Sequence, residues 1–285
     1  MNAVLPSLTT ADPAAVLPLL RQHLAAERLV PYLGPGVAAL SAPAIPTDYP
    51  ALAAALGKRV ALPRRARGNA WAAAQYIESQ RHRSTLDGLL REIFATPVAP
   101  SALHRHLAGL HPPLIVDTWY DGAMRAALEP ELDWGEIQGI TRAGIGEFRW
   151  FRAYDRKGVE TPVANAGGWA TLLYKPHGSV APVGNFLLAD ADYVEVLTEI
   201  DIQTPIPDAV RLRRQGRGFL FLGCRFDDQM LRTYARQIMK RSRGPHFAVM
   251  GEGELTRNEI RFLKTMNITP VGGPLSAFVD ALVTA

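Results

Sequence analysis

The sequence predicts an α/β protein built on a doubly wound, mostly parallel, Rossmann-like sheet with a helical insertion. Two observations carry that reading. The C-terminal third alternates short apolar runs (219–222, 247–250 and 268–271) with amphipathic segments (228–241, 256–266 and 275–283). Strands that alternate with helices in this way pair in parallel and bury both faces of the sheet. Near the N-terminus, Leu29-Val-Pro-Tyr-Leu33 runs into Gly34-Pro35-Gly36 and then an Ala-rich stretch. That is the order of a buried strand, a tight turn and a helix start.

Bulk properties narrow the class further. A chain of 285 residues with 48% hydrophobic and 20% charged content is an ordinary globular protein, long enough to bury a core. We expect a single domain over 1–285. No apolar run reaches the roughly 18 residues of a membrane span, and the N-terminus lacks the basic start of a signal peptide, so a cytoplasmic location with no membrane partner is expected. The lone Cys224 excludes an internal disulfide and a four-cysteine zinc ribbon, and no metal site is expected. Net charge is +4. Arginines gather at 64–67 and 211–217 without interleaved aromatics, so they read as solvated faces, and nucleic acid is not an expected partner.

The elements follow in order. Asp12-Pro13 opens a helix to about Glu27, with Pro18 as a second candidate start. After the first strand and its glycine turn, 41–50 is a proline-rich loop placed to fold over a ligand at that turn, with Thr47 or Asp48 capping the next helix. Residues at about 50–111 read as an insertion of helices (51–58, 70–80, 85–94 and 102–110), with Ser84 and Asp87 spaced as a capping box for the third. Leu114–Val116 is a short strand leading into Asp117-Thr-Trp-Tyr-Asp121 and a helix to Leu128. A small subregion at about 135–170 holds peripheral strands, including 147–154. Thr171–Tyr174 is another strand and delivers Lys175-Pro-His-Gly-Ser179 at its carboxyl end; 190–200 and 207–214 read as helices. Ligands of such sheets sit at the carboxyl ends of the strands, where the turns at Gly34, Asp117, Lys175 and Gly223 converge.

Each candidate residue has a chemical reason. Gly34 and Gly36 would let backbone approach a phosphate closely, and since Pro35 has no amide hydrogen, Gly34, Gly36 and Val37 would supply the donors. His177 reads either as a turn histidine whose ring bonds a nearby carbonyl or, since an imidazole titrates near neutral pH, as a group for proton transfer. Asp121 reads as a ligand contact, a helix cap, or both. Gly223 reads either as a turn beneath a ribose or as a plain strand exit. Trp119 is core filler or, at a strand end, a platform for a flat ring such as nicotinamide or flavin. Asp227 and Asp228 read as helix caps. His104, His106 and His111 approach metal-ligand spacing but read as surface residues of a helix.

Taken together, these turns resemble the sirtuin-like domain of the bacterial, zinc-free type. Gly34-Pro-Gly-Val-Ala38 is similar to that family's Gly-Ala-Gly-x-Ser phosphate loop, Lys175-Pro-His-Gly-Ser179 to its Lys-x-His-Gly-Ser segment, and Phe219-Leu-Phe-Leu-Gly-Cys-Arg-Phe-Asp-Asp228 to its late strand and Gly-x-Ser-x-x-Asp turn. The resemblance implies binding of NAD or ADP-ribose, with NAD as cofactor and Gly34, Gly36, Val37, Trp119, Asp121, Gly178, Ser179, Gly223 and Cys224 around it. It also implies an NAD-consuming enzyme, either an NAD glycohydrolase or a protein deacylase acting on an acylated protein, with His177 as general base on the ribose hydroxyls. The family's Thr-x-Asn-x-Asp becomes Asp117-Thr-Trp-Tyr-Asp121, and Ala38 and Cys224 replace serines. An indole has one donor and no acceptor, so Trp119 does not reproduce the amide of asparagine. The alternative is therefore a non-catalytic sensor of NAD or ADP-ribose. Oligomeric state and protein partner stay open at this point.

Overall fold

Along the first strand, Leu29 and Leu33 pack into one hydrophobic core while Val30 and Tyr32 pack into another. A strand that is apolar on both sides belongs in the middle of a sheet covered on both faces. The computed structural model describes residues 10–41, 44–141, 149–199, 206–250 and 253–284. In chain order the elements are α1 (Pro13–Ala25), β1 (Leu29–Leu33), α2 (Tyr49–Arg59), α3 (Ala70–Arg81), α4 (Arg83–Ile93), α5 (Ala102–Gly109), β2 (Leu114–Asp117), α6 (Ala123–Leu128), β3 (Trp134–Gly139), β4 (Phe151–Asp155) and β5 (Glu160–Thr161). They continue with β6 (Thr171–Lys175), β7 (Gly178–Ser179), β8 (Asn185–Phe186), α7 (Asp190–Glu199), α8 (Asp208–Arg213), β9 (Gly218–Leu222), α9 (Gln229–Met239), β10 (His246–Val249), α10 (Arg257–Thr265), β11 (Ile268–Val271) and α11 (Leu275–Val283).

Among the described residues, nine of the strands form one sheet in the order β11-β10-β9-β1-β2-β6-β3-β4-β5, parallel from β11 through β3. In that sheet β4 and β5 add antiparallel at the edge, and β7 and β8 form a separate antiparallel pair. This is a mixed α/β fold with a large, mostly parallel sheet between helices, as the strand-helix alternation predicts. From β1 the chain moves to β2 on one side, and from β9 it moves to β10 on the other. The carboxyl ends of β1 and β9 therefore flank a topological switch point, where such sheets hold ligands.

Two expectations need correction. Residues 134–139 are not peripheral: β3 pairs in parallel with β6, with Gly135 opposite Leu172 and Ile137 opposite Tyr174. Gly135 misleads a strand reading because its side-chain space is filled by the Trp169 ring, 2.4 Å from where a Cβ would stand. The reading of 147–154 as a strand holds from Phe151 on, and 142–148 lie outside the described residues. The helices of 50–111 cover both faces of the sheet: α2, α3 and α4 pack with Tyr32 and Val116, while α5 packs with Leu33 and Ile115 on the opposite face. Finally, Ser84 caps nothing. The helix α4 begins at Arg83, and Asp87 instead accepts from Arg83 Nε at 3.0 Å.

Helix starts are otherwise set by local side chains. Asp12, Asp48, Asn69 and Asp228 each accept a backbone N–H of the first turn of α1, α2, α3 and α9. Thr256 and Glu259 form a reciprocal capping box on α10. Pro18 lies inside α1 and does not reset it.

Candidate functional site

The turn after β1 and the turn after β9 cross each other in direct contact. A Cβ on Gly34 would stand 2.5 Å from Gly223 O, and one on Gly36 would stand 2.9 Å from the same atom. Gly223 has φ +63°, and a Cβ there would lie 2.7 Å from Val37 N. Glycine is required on both sides of this crossing, by sterics on one and by conformation as well on the other. The amides expected to bind phosphate are used in the crossing: Gly34 N donates to Leu222 O (2.8 Å), Gly36 N to Gly223 O (3.0 Å) and Val37 N to Gly34 O (3.1 Å). The donor role of Gly34, Gly36 and Val37 is thus corrected. The amides of Gly34 and Gly36 continue the pairing of β1 with β9, that of Val37 closes a local turn onto Gly34 O, and a short 3-10 helix runs over Pro35–Ser41.

Above the crossing lies a cavity of ≈ 590 Å³, within the range of small-molecule sites. Its floor includes Tyr32, Gly36, Thr118, Gly223 and Cys224. The proline-rich loop supplies Thr47 and Asp48, the starts of α2 and α3 supply Tyr49, Asn69 and Trp71, and the turn after β9 supplies Arg225, Asp227 and Asp228. Of the two expected caps, Asp228 caps α9 by accepting from Met230 N, while Asp227 accepts from Asp228 N, outside the helix. Arg225 clamps the buried Glu259 through Nε (2.8 Å) and Nη2 (2.9 Å), and Nη1 takes no part in these bonds. Cys224 is buried, and burial pushes its thiol pKa well up, so it is a packing thiol and not a nucleophile.

Beside the cavity, the Asp117–Asp121 turn is shaped by one lysine. Lys175, at the end of β6 and only 1% exposed, donates to Asp117 Oδ2 (2.7 Å), Asp121 O (2.9 Å) and Trp119 O. An ammonium has three hydrogens, and all are used. Burial pushes the Asp117 carboxyl up to about 6 against the pull of Lys175. Asp121 is buried and caps α6 through Ala123 N (2.8 Å). Ser179 Oγ lies on the carbonyls of Tyr120 and Asp121. Gly178 has φ +82° and pairs with Phe186 across the β7–β8 ladder. His104 is buried, not a surface residue as expected: Ser101 N donates to its Nδ1 at 3.1 Å, and burial lowers its pKa to about 4. His111 pairs with Glu131. Among the described residues, no group of three His, Cys, Asp or Glu is arranged to hold a metal.

Trp119 is not a platform facing the cavity. Its ring packs against Tyr49 (5.2 Å), Phe94 (5.6 Å) and Tyr120 (5.3 Å), and Nε1 donates to Pro46 O at 2.9 Å. The indole thereby ties the proline-rich loop to the end of β2. His177 is fully buried, with Nδ1 3.2 Å from the Tyr193 hydroxyl and its ring edge-on to Tyr234 at 4.7 Å. Burial, with Lys175 nearby, lowers its pKa to about 3, so the imidazole is neutral.

Neither His177 nor Trp119, Asp121, Gly178 or Ser179 lines the cavity; of the expected contacts, Gly36, Gly223 and Cys224 do. Among the described residues, eight buried side-chain polar atoms have no hydrogen-bond partner, and Tyr49 Oη, Trp71 Nε1 and His177 Nε2 are three of them. Each such group costs about 1–3 kcal/mol. Tyr49 and Trp71, stacked at 4.4 Å, belong to the cavity wall. A wall with unsatisfied donors and a floor that only glycine permits both fit a bound, hydrogen-bonding ligand. Sequence reading missed Tyr49, Asn69, Trp71, Tyr193 and Arg225; the one signal available was the position of the proline-rich loop just before Tyr49.

A large, mostly parallel sheet between helices, with a cavity over a glycine crossing at its switch point, defines a Rossmann-like α/β protein. The family model for the SIR2-like domain matches residues 113–271, more than half of the chain, and the chain belongs to that family. No curated protein matches it. Among the described residues, no helix is long and apolar enough to cross a membrane.

Proposed function

We propose that this chain binds an NAD-type dinucleotide, NAD or ADP-ribose, in the cavity over the Gly36–Gly223 crossing. The observation that carries the reading is the position of that cavity at the switch point between β1 and β9 in a chain of the SIR2-like family. Arg225, whose Nη1 is left over from the Glu259 clamp, is the cation for the pyrophosphate, replacing the amides used in the crossing. Gly36 and Gly223 admit the close approach, and Asn69 and Thr118 offer polar groups to ribose and base edges.

When bound, NAD supplies a glycosidic bond to a cationic nicotinamide, a good leaving group. In the NAD-consuming reading, as glycohydrolase or deacylase, His177 Nε2 is the base for a ribose hydroxyl, which requires the residues that bury His177 to part and admit the ribose. A second reading, binding without turnover, draws on Trp119, whose single donor is spent on Pro46 and cannot hold a water as an amide would.

The test is calorimetry of the full chain with NAD and with ADP-ribose, alongside a nicotinamide-release assay. Binding that Arg225→Gln weakens at least tenfold supports the site, and no binding at millimolar ligand overturns it. Nicotinamide release lost in His177→Ala at unchanged affinity identifies an enzyme, since a general base contributes about 100- to 10,000-fold to rate. Binding with no release identifies the sensor.

A further inference from the structure

We propose that Tyr193 is a positioning residue for His177, holding the imidazole as its Nδ1–H tautomer with Nε2 as an unprotonated acceptor. The assignment follows from counting hydrogens. The Tyr193 hydroxyl donates to Leu187 O at 3.2 Å, and Tyr120 donates to the same carbonyl at 2.7 Å. A phenol has one hydrogen, so with that hydrogen on Leu187 the Tyr193 oxygen can only accept from the imidazole 3.2 Å away. The ring proton then sits on Nδ1, and Nε2 keeps its lone pair. Nε2 is also the ring nitrogen that is buried without a partner. Burial and the nearby Lys175 keep a second proton off the ring.

The surroundings hold this arrangement in place. Leu187 N donates to His177 O at 2.9 Å, so the carbonyl that orients Tyr193 is tied to the histidine's own backbone. Tyr193 follows Asp192, which accepts from Leu188 N (3.0 Å) and Ala189 N (3.1 Å) at the start of α7 and pairs with Arg83 at 2.8 Å. Tyr234 packs edge-on against the imidazole at an interplanar angle of 60° and limits its rotation. The other tautomer lets the Tyr193 hydroxyl donate to Nδ1 but gives up its bond to Leu187 O and buries an Nε2–H with no acceptor, so it makes one hydrogen bond where the Nδ1–H form makes two. Neutral imidazole in water favours Nε2–H, so the protein reverses the intrinsic preference. The use of the Nε2 lone pair by a ligand hydroxyl rests on the dinucleotide reading above; the tautomer does not.

The experiment is nitrogen-resolved NMR of histidine-labelled full-length protein near neutral pH without nucleotide, with His177 assigned by His177→Gln. We expect wild type as the Nδ1–H tautomer and Tyr193→Phe, which removes the acceptor oxygen and little else, as majority Nε2–H. A wild-type ring in the Nε2–H form, or a Tyr193→Phe spectrum identical to wild type, overturns the proposal. Should Tyr193→Phe fail to fold, the wild-type tautomer alone decides. Addition of NAD is a separate arm: His177 signals that ignore NAD while showing the stated tautomer count against the dinucleotide reading and leave the role of Tyr193 standing.

Discussion

Replacing Gly36 by alanine tests the crossing and the cavity together. The new Cβ would stand 2.9 Å from Gly223 O, 3.2 Å from Gly223 Cα and 3.4 Å from Gly223 C, all backbone atoms that cannot swing aside. The turn after β1 must then move from the turn after β9, straining the bond from Gly36 N to Gly223 O. Overpacking of this kind costs about 1–3 kcal/mol, and losing the hydrogen bond adds about 0.5–1.5 kcal/mol. The lower entropy of alanine in the unfolded chain offsets about 0.4–1 kcal/mol. The expected net loss is about 1–3 kcal/mol, read from urea unfolding midpoints at constant slope. Gly167→Ala is the control, because that glycine is exposed and a Cβ there meets nothing within 4 Å. ADP-ribose affinity should fall with Gly36→Ala and not with Gly167→Ala. Equal stability of the two variants would refute the claim that glycine is required by contact at position 36.

Acid should destabilise the fold. His177 and His104 have pKa values of about 3 and about 4 when folded, below the ordinary 6.5, so the unfolded chain binds more protons and stability is lost as pH falls from 6.5. Each contributes a loss of about 2 kcal/mol between pH 7 and pH 5. Asp117, pushed up to about 6, opposes this, because a raised folded pKa adds stability as pH falls through it. Its share is about 1 kcal/mol, leaving a net fall of about 3 kcal/mol; urea titrations that coincide at the two pH values would contradict it. Lys175→Met strands the buried Asp117 carboxylate and two carbonyls, so it should cost about 3–5 kcal/mol. Adding Asp117→Leu should recover part of that loss, and a double variant no more stable than the single one would argue against the pairing. Trp119→Phe keeps an aromatic ring but loses the bond to Pro46, so it should cost about 1 kcal/mol and speed amide exchange over 44–48; unchanged exchange there would show that the indole is not the tie.

The fold was legible because its signals are local. Alternation of short apolar runs with helices is enough to specify parallel pairing, and a glycine pair after an apolar run marks a strand end that must pass close to something. What was less legible was β3, where a glycine under the Trp169 ring weakens strand character. The placement of α5 on the other face was equally hidden, since nothing in its own periodicity says which face it covers. At the site, the crossing glycines and the loop that borders the cavity were visible in sequence. Arg225 was not singled out, because an arginine after a strand has no distinctive spacing, and Tyr49, Trp71 and Tyr193 look like ordinary helix residues.

The sequence by itself determined the parallel α/β class, the position of its switch-point turns and the chemical identity of the groups near them, because those depend on residues adjacent in the chain. Tertiary structure decided what those groups are free to do. The amides of Gly34 and Gly36 are engaged because β9 and its turn, nearly two hundred residues on, lie alongside them. His177 is neutral and enclosed because α7 and α9 bring Tyr193 and Tyr234 onto its ring. Trp119 became a tie to the loop because Pro46 presents a carbonyl to it from an element 73 residues away. Availability of a donor, charge of a histidine and exposure of a ring are set by what packs against them, and packing partners distant in the chain leave no mark on local sequence.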